Sequence, residues 1–198
     1  GERAPPLLLL HGTGGDENDL LELGKMVSPE SALLSPRGRV LENGMPRFFR
    51  RLAEGLFDED DVRLRALELA DFVEDARLRH GISRPIALGY SNGANIAAAV
   101  MLLRPATLAG AALLRVMVPL SDPPHPDLSG VPVLIASGKV DPIVPASNSA
   151  RLAAMLRNAG ADVRHQALPF GHQLSRADPA LVRDWLTTLD VREPIATR

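Results

Sequence analysis

With 198 residues, 45% of them hydrophobic and 23% charged, the chain is long enough for one globular domain, and we expect a single domain over residues 1–198. A net charge of −2 argues against a nucleic-acid partner, and the absence of cysteine excludes disulfides, thiolate catalysis and cysteine-bound metals. Because no apolar run could span a membrane and no signal-peptide pattern is present, we expect a cytoplasmic protein without a membrane partner.

The apolar residues alternate between short runs, which predict buried strands, and longer amphipathic stretches, which predict helices. In chain order we predict a strand at 7–10, a helix at 19–27, a strand at 32–34, a helix at 61–80, a strand at 85–88, a helix at 92–103, strands at 109–118 and 131–136, a helix at 147–159, a strand at 163–168 and a helix at 179–189. Residues 40–60 have no clear period, and we predict an ordered loop there. The alternation indicates an α/β fold with a mostly parallel central sheet and helices on both faces.

The sharpest motif is the pentapeptide Gly89-Tyr90-Ser91-Asn92-Gly93, which has the pattern G-x-S-x-G. It lies between a predicted strand and a predicted alanine-rich helix, which is where a nucleophilic serine would occupy a strained strand-to-helix turn. Small residues on both sides of the serine prevent clashes across such a turn. The alternative is an ordinary glycine-rich turn in which Ser91 caps the helix.

A second motif, His11-Gly12-Thr13-Gly14-Gly15, follows the first predicted strand. Its glycines allow backbone N–H groups to face a ligand, as an oxyanion hole requires. A dinucleotide-binding turn is disfavoured because Glu17 stands where a third glycine would be needed, and no phosphate-loop lysine is present. We expect His11 to fix this loop by hydrogen bonding rather than to act as a base.

A serine hydrolase whose nucleophile lies in such a strand-to-helix turn needs an acid and then a histidine after the serine in the chain. Two of the five histidines precede Ser91, and His125 has only Asp122 as a close acidic partner. His165 falls inside a predicted strand, whereas His172 lies in a glycine-flanked loop between the last strand and the last helix. We therefore predict that His172 is the base.

The acid is predicted to be Asp141, which follows the strand at 131–136 in a turn that begins with glycine and ends with proline. Asp122 and Asp127, which follow the preceding strand, are the alternatives. An aspartate in such a loop can also simply cap a turn, but the ordered serine, acid and histidine at three strand ends disfavour that interpretation.

Together these motifs resemble the phospholipase/carboxylesterase group of α/β-hydrolases. The resemblance covers nearly the whole chain and rests on Leu9–Glu17, Gly89–Gly93, Asp141–Pro145 and Gly171-His172. The segments Ser35–Gly38 and Glu42–Phe49 resemble the bacterial carboxylesterase branch in particular.

The resemblance implies an α/β-hydrolase fold with Ser91 as nucleophile, Asp141 as acid and His172 as base. It places the oxyanion hole at the N–H groups of Thr13 and Asn92, and it implies no metal and no organic cofactor. Only six residues precede the first motif's strand, where the family usually has extra antiparallel strands, so we expect either a smaller sheet or a sequence that begins after those strands. Only residues 119–130 are available for a cap, so we expect no large cap domain.

Residues 40–57 follow an early strand and contain large apolar side chains and several arginines. Loops at the carboxyl ends of parallel strands line the site in this architecture. We expect at least one of Phe48 and Phe49 to border the substrate pocket, with Arg47 near its mouth. A solvated charged surface is the alternative for most of these arginines. The full set of expected substrate contacts is Met45, Arg47, Phe48, Phe49 and Val144.

The resemblance implies a serine carboxylesterase that hydrolyses small carboxylic esters, aryl esters among them, so that the expected partner is a small-molecule ester. The same site could instead serve a lysophospholipase, an acyl-protein thioesterase or a dienelactone hydrolase, although the last usually has a cysteine where this chain has Ser91. A binding protein that keeps the fold without catalysis is a third hypothesis. The expected assembly, to be tested by measuring the oligomeric state, is a homodimer.

Overall fold

The computed structural model describes residues 4–189, which form ten strands and five helices. In chain order these are β1 (Leu7–Leu10), α1 (Leu21–Val27), β2 (Leu33–Leu34), β3 (Val40–Glu42), β4 (Met45–Arg47), β5 (Arg51–Ala53), β6 (Leu56–Phe57), α2 (Glu59–His80), β7 (Ile86–Tyr90), α3 (Asn92–Leu103), β8 (Gly110–Leu114), β9 (Pro132–Gly138), α4 (Ala146–Asn158), β10 (Asp162–Leu168) and α5 (Ala177–Thr187). Residues 1–3 and 190–198 of the predicted domain lie outside this description.

The central sheet has six strands in the order β10-β9-β8-β7-β1-β2. Every neighbouring pair in it is parallel, as in β1 and β7, where Leu7 to Leu10 pair with Ile86 to Gly89. The predicted parallel α/β architecture is therefore confirmed. Because all six strands run in one direction, the loops that follow them meet at the same edge of the sheet.

Helices cover both faces of the sheet, and the four leucines of β1 divide between the two. Leu8 and Leu10 belong to the core under α2, α3 and α4, whereas Leu7 and Leu9 belong to the core under α1 and α5. This division follows from the strand itself, in which successive side chains point to opposite faces. A strand buried on both sides therefore reads as a continuous apolar run.

Residues 40–57 are not the loop that the sequence predicted. They form two antiparallel hairpins, β3-β4 and β5-β6, outside the central sheet. Each of these strands has only two or three residues, too few for an alternating pattern to be recognised. Asn43 and Gly44 form the first turn with φ of 51° and 80°, and an Asn-Gly pair is a hairpin signal that the sequence interpretation overlooked.

The strand predicted at 109–118 is also shorter than expected, since β8 ends at Leu114. The next residue, Arg115, has a φ of 57°, which turns the chain out of the sheet although the apolar run continues. From there to β9 the chain forms no helix or strand, and no cap domain covers the sheet in the part of the chain described. Within residues 4–189, no helix is long and apolar enough to cross a membrane.

Candidate active site

Ser91 occupies the turn between β7 and α3, with a φ of 51° that is rare for a residue with a side chain. Two glycines make this turn sterically feasible. A Cβ on Gly89 would lie 2.7 Å from the Ala94 backbone, and a Cβ on Gly93 would lie 2.0 Å from the carbonyl oxygen of Leu10. The requirement for small residues around the serine is thus confirmed.

The structure brings Ser91, His172 and Asp141 together at the carboxyl edge of the sheet. Ser91 Oγ lies 2.9 Å from His172 Nε2, and His172 Nδ1 lies 2.9 Å from Asp141 Oδ2. These three residues follow β7, β10 and β9, so they are 81 and 31 positions apart in the chain but adjacent in space.

Asp141 is fixed by more than its histidine. Its Oδ1 accepts hydrogen bonds from the N–H groups of Ile143 and Val144, at 2.8 and 2.9 Å. Burial by itself would raise the pKa of Asp141, but these two N–H donors and His172 outweigh it and hold the pKa below its ordinary value. The carboxyl group is therefore kept in its charged form beside the imidazole.

His11 and His165 lie where the sequence interpretation expected them. His11 is buried at the end of β1, where its Nδ1 lies 2.7 Å from the carbonyl oxygen of Gly12 and its Nε2 accepts from the N–H of Gly38 at 2.9 Å. Its predicted role of fixing the glycine loop is confirmed. His165 lies within β10, 2.9 Å from the hydroxyl of Ser137.

The alternative acids lie apart from His172 in the loop between β8 and β9. The Asp127 carboxylate accepts from the N–H of Ser129, and Asp122 lines a separate cavity with His125. Asp141 is thus the carboxylate that the structure pairs with His172.

The glycine loop after β1 is held by the first hairpin. Gly14 N–H donates to the carbonyl oxygen of Pro46 at 2.9 Å, and the guanidinium of Arg47 donates to Thr13 Oγ1 at 2.8 Å. On the other side of the serine, Asn92 accepts from the N–H of Phe48 through its side-chain oxygen at 2.7 Å. Thr13 and Asn92, the two residues assigned to the oxyanion hole by resemblance, therefore both contact the hairpin segment and flank Ser91.

A narrow cavity of about 40 Å³ opens beside the serine. Thr13, Ser91, Asn92 and His172 form one part of its lining. The remainder includes Arg47, Arg51, Phe57, Met117, Ile143 and Val144. Burial and the neighbouring Arg51 charge lower the pKa of Arg47, whose guanidinium is nearly inaccessible and shares Glu42 with Arg51.

Two of the expected substrate contacts, Arg47 and Val144, line this cavity, but the two phenylalanines do not. Phe48 and Phe49 are 6% and 0% exposed and belong to the core under α2, α3 and α4, which corrects the expectation that one of them borders the pocket. Phe57, which packs edge-on against Phe49, lines the cavity instead. Met45 is partly exposed and lies over Gly14 rather than along the cavity.

The sequence interpretation missed two residues that contact the loop of His172. The hydroxyl of Tyr90 donates to the carbonyl oxygen of His172 at 3.2 Å, and the buried side chain of Arg115 contacts the residues on either side of it. A single arginine within the apolar run Gly110–Leu120 was the available signal for the second residue, since a buried charge needs a partner. Among residues 4–189, no three histidine, aspartate or glutamate side chains group as a metal site would require.

Three features are typical of α/β-hydrolases. They are the six-stranded parallel sheet, the strained serine at the end of β7, and the hydrogen-bonded group of Ser91, His172 and Asp141. The sequence profile of the Phospholipase/Carboxylesterase family matches residues 2–189, and the chain belongs to this family of hydrolases.

Individual relatives agree with this assignment. MhqD of Bacillus subtilis, which is named as a hydrolase, is 48% identical over 181 residues that cover 90% of each chain. The crystal structure of the Bacillus cereus carboxylesterase is 44% identical, with a TM-score of 0.91 over 95% of this chain and 92% of that one. A carboxylesterase from Mesorhizobium loti is 36% identical, with a TM-score of 0.90 over 94% of this chain and 90% of that one.

Proposed function

We propose that the protein is a serine carboxylesterase that hydrolyses small carboxylic esters, aryl esters among them, through an acyl-enzyme intermediate. The observation that carries this proposal is the continuous hydrogen-bonded path from Asp141 through His172 to Ser91, with both distances at 2.9 Å. Two related solved structures that bear the name carboxylesterase support it.

In the proposed reaction, Ser91 Oγ attacks the ester carbonyl carbon while His172 Nε2 accepts the hydroxyl proton. Asp141 accepts the Nδ1–H of the imidazole and stabilises the imidazolium ion. The N–H groups of Thr13 and Asn92 stabilise the negative oxygen of the tetrahedral intermediate. Collapse of this intermediate releases the alcohol, which receives the proton from His172.

Water then attacks the acyl-enzyme with the same groups in reverse order. His172 accepts a proton from the water, the bond from the acyl carbon to Ser91 Oγ breaks, and the proton returns to the serine. The net products are a carboxylic acid and an alcohol, and the proposed mechanism uses no metal or organic cofactor.

The cavity beside Ser91 supports a small substrate. Its volume of about 40 Å³ accommodates a short acyl or alcohol group, and its walls include Phe57, Met117 and Val144. An aryl ring or longer chain would extend outward between the hairpin β5-β6 and the turn after Asp141.

A long-chain ester or thioester is the second candidate, because apolar side chains are exposed at this outward side. Ile143 lines the cavity and is 37% exposed, and Leu56, next to the cavity residue Phe57, is 56% exposed. An acyl chain lying across these side chains would bury apolar surface that water now covers.

The experiment combines a fluorophosphonate probe with a series of p-nitrophenyl esters from acetate to palmitate. We expect labelling of the wild-type chain but not of Ser91→Ala, because only an activated serine reacts with the probe, and we expect kcat/KM to be highest for short acyl groups. A rise in kcat/KM toward long chains would favour the second candidate. An unlabelled wild-type protein without turnover would rule out both.

A further inference from the structure

We infer that Arg115 and Asp178 form a buried ion pair whose task is to position the His172 loop against Ser91. The inference deepens the proposed function, on which it rests, by adding a positioning residue for the general base. It is carried by the contacts of one guanidinium group, which reaches the chain immediately before and immediately after the histidine.

All five N–H donors of Arg115 are used in hydrogen bonds. Nε donates to the carbonyl oxygen of Gly171 at 3.0 Å, and Nη2 donates to the carbonyl oxygen of Gln173 at 3.1 Å. The same fork pairs with Asp178, Nη1 with Oδ1 at 2.8 Å and Nη2 with Oδ2 at 2.9 Å, and Nη1 also donates to Ala136 O at 3.3 Å. A rigid planar guanidinium can satisfy this set, whereas a lysine ammonium has only three donors.

The carbonyl of His172 itself is held from another strand. Tyr90 donates its hydroxyl proton to that oxygen at 3.2 Å, and its ring lies 5.6 Å from the imidazole. The three consecutive carbonyl groups of residues 171–173 therefore all accept hydrogen bonds from side chains. Hydrogen bonds to all three carbonyls restrain the backbone of this loop and therefore fix the position from which the imidazole of His172 extends.

Asp178 is supported from its own side of the loop. It lies in the first turn of α5 and accepts at Oδ2 from both the N–H and the hydroxyl of Ser175, at 2.7 and 2.8 Å. The positive end of the helix dipole further favours a carboxylate there. Arg115 and Asp178 thus tie the end of β8 to the start of α5, with the His172 loop between them.

Burying this ion pair costs free energy that a purely structural role does not explain. Both side chains are 0% exposed, and a buried ion pair seldom stabilises a fold more than apolar residues of similar size would. Arg115 also has a strained φ of 57°. The same turn contacts the nucleophile directly, since Leu114 O accepts from the N–H of Ser91 at 2.8 Å. The buried charges and the strained backbone therefore both lie beside the segments that carry His172 and Ser91.

The test compares two variants with a control at an exposed arginine. Arg115→Lys keeps the charge but loses the fork, and the double variant Arg115→Gln/Asp178→Asn removes both charges so that neither is left buried and unpaired. Arg157→Lys is the control, because Arg157 also donates to a backbone carbonyl, that of Val163 at 2.9 Å, away from the site. Each protein is measured by thermal melting, by kcat and KM on a short ester and by the rate of fluorophosphonate labelling.

We expect both Arg115 variants to melt cooperatively and to lose about 10- to 100-fold in kcat and in labelling rate, because a base displaced by about 1 Å loses that much catalysis. Arg115 lines the cavity beside Ser91, but its guanidinium is 0% exposed and fully engaged with Asp178 and the loop carbonyls, so KM should change little. A structural role alone would lower the melting temperature without this kcat-specific loss. The control should retain wild-type kcat.

A proton spectrum provides a readout that does not need turnover. The Nδ1–H proton shared by His172 and Asp141 should give a far-downfield resonance in the wild-type protein, and this resonance should broaden or vanish in the Arg115 variants. Folded variants with wild-type kcat and an unchanged resonance would overturn the inference, and so would failure of both variants to fold. If the wild-type protein neither turns over esters nor labels, the proposed function fails, while the resonance still decides the positioning role.

Discussion

At the residue scale, Asp141 divides its two oxygens between two tasks. Oδ2 contacts His172, while Oδ1 accepts from two backbone N–H groups of the turn that follows. The turn contacts fix the carboxylate in place before any substrate arrives. Turn capping and contact with the histidine, which were competing interpretations of the sequence, are here combined in one side chain.

We predict that Asp141→Asn lowers kcat by up to about four orders of magnitude, by analogy with the same substitution in serine proteases. The amide oxygen can still accept from the turn, so the fold should persist. The amide nitrogen cannot accept the Nδ1–H of His172, and the imidazole would adopt the wrong tautomer. Steady-state kinetics on a short ester measure the effect.

The matched control is Asp122→Asn, in the loop between β8 and β9. It should leave kcat close to that of the wild-type protein because Asp122 lines a separate cavity. A larger loss from Asp122→Asn than from Asp141→Asn would contradict the pairing of His172 with Asp141.

The sequence was sufficient to predict Ser91, Asp141 and His172 as a group, because each occupies a short loop with its own glycine or proline signal after a recognisable strand. It was insufficient for Arg115 and Asp178. Their pairing depends on contacts across 63 positions, which no local pattern records.

At the element scale, the two hairpins of residues 40–57 contribute both to the core and to the site. Phe49 is fully buried in the core under α2, α3 and α4, while Arg47 and Phe57 of the same segment line the cavity. Some residues of this segment therefore pack in the core, and others line the cavity. Its aromatic side chains could not be assigned from sequence because strands of two or three residues have no measurable period.

We predict that Phe49→Ala destabilises the fold by about 3 kcal/mol or more, since it leaves a cavity in a fully packed core. Thermal or urea unfolding measures this loss. Because Phe49 does not line the cavity beside Ser91, kcat/KM in the folded fraction should keep the wild-type ratio between a short aliphatic and an aryl ester.

Leu41→Ala is the control for this prediction, because Leu41 lies in the same segment but is 69% exposed. It should change stability by less than about 0.5 kcal/mol. A changed preference between the two esters in Phe49→Ala, with an unchanged melting temperature, would instead place Phe49 in substrate recognition.

At the scale of the whole molecule, the parallel sheet explains why residues far apart in the chain form one site. The ends of β1, β7, β8, β9 and β10 lie along one edge, and each supplies a part of the site or of its support. The first strand and the helix after Ser91 were predicted at their observed bounds, because an uninterrupted apolar run and a well-marked turn define them. The end of β8 was not, because the positive φ of Arg115 ends the strand while apolar residues continue beyond it.

Stability should depend on pH through the same carboxylate that contacts His172. Hydrogen bonds lower the pKa of Asp141 in the folded protein, and they also lower the pKa values of Asp16, Glu17, Glu42, Asp58 and Asp127. A lowered folded pKa contributes stability that is fully present above the unfolded value, about 4, and is lost as the pH falls through the folded value.

We therefore predict that the wild-type protein is more stable than Asp141→Asn at pH 6 and that this difference shrinks as the pH falls below about 4. Protonated Asp141 resembles the neutral amide, so its advantage over asparagine disappears once the proton is bound. The other five acids are common to both proteins, and their contributions cancel in the comparison. Thermal melts of the two proteins at intervals from pH 6 to pH 3 measure the difference, and a difference that stays constant over this range would show that Asp141 does not link folding to protonation.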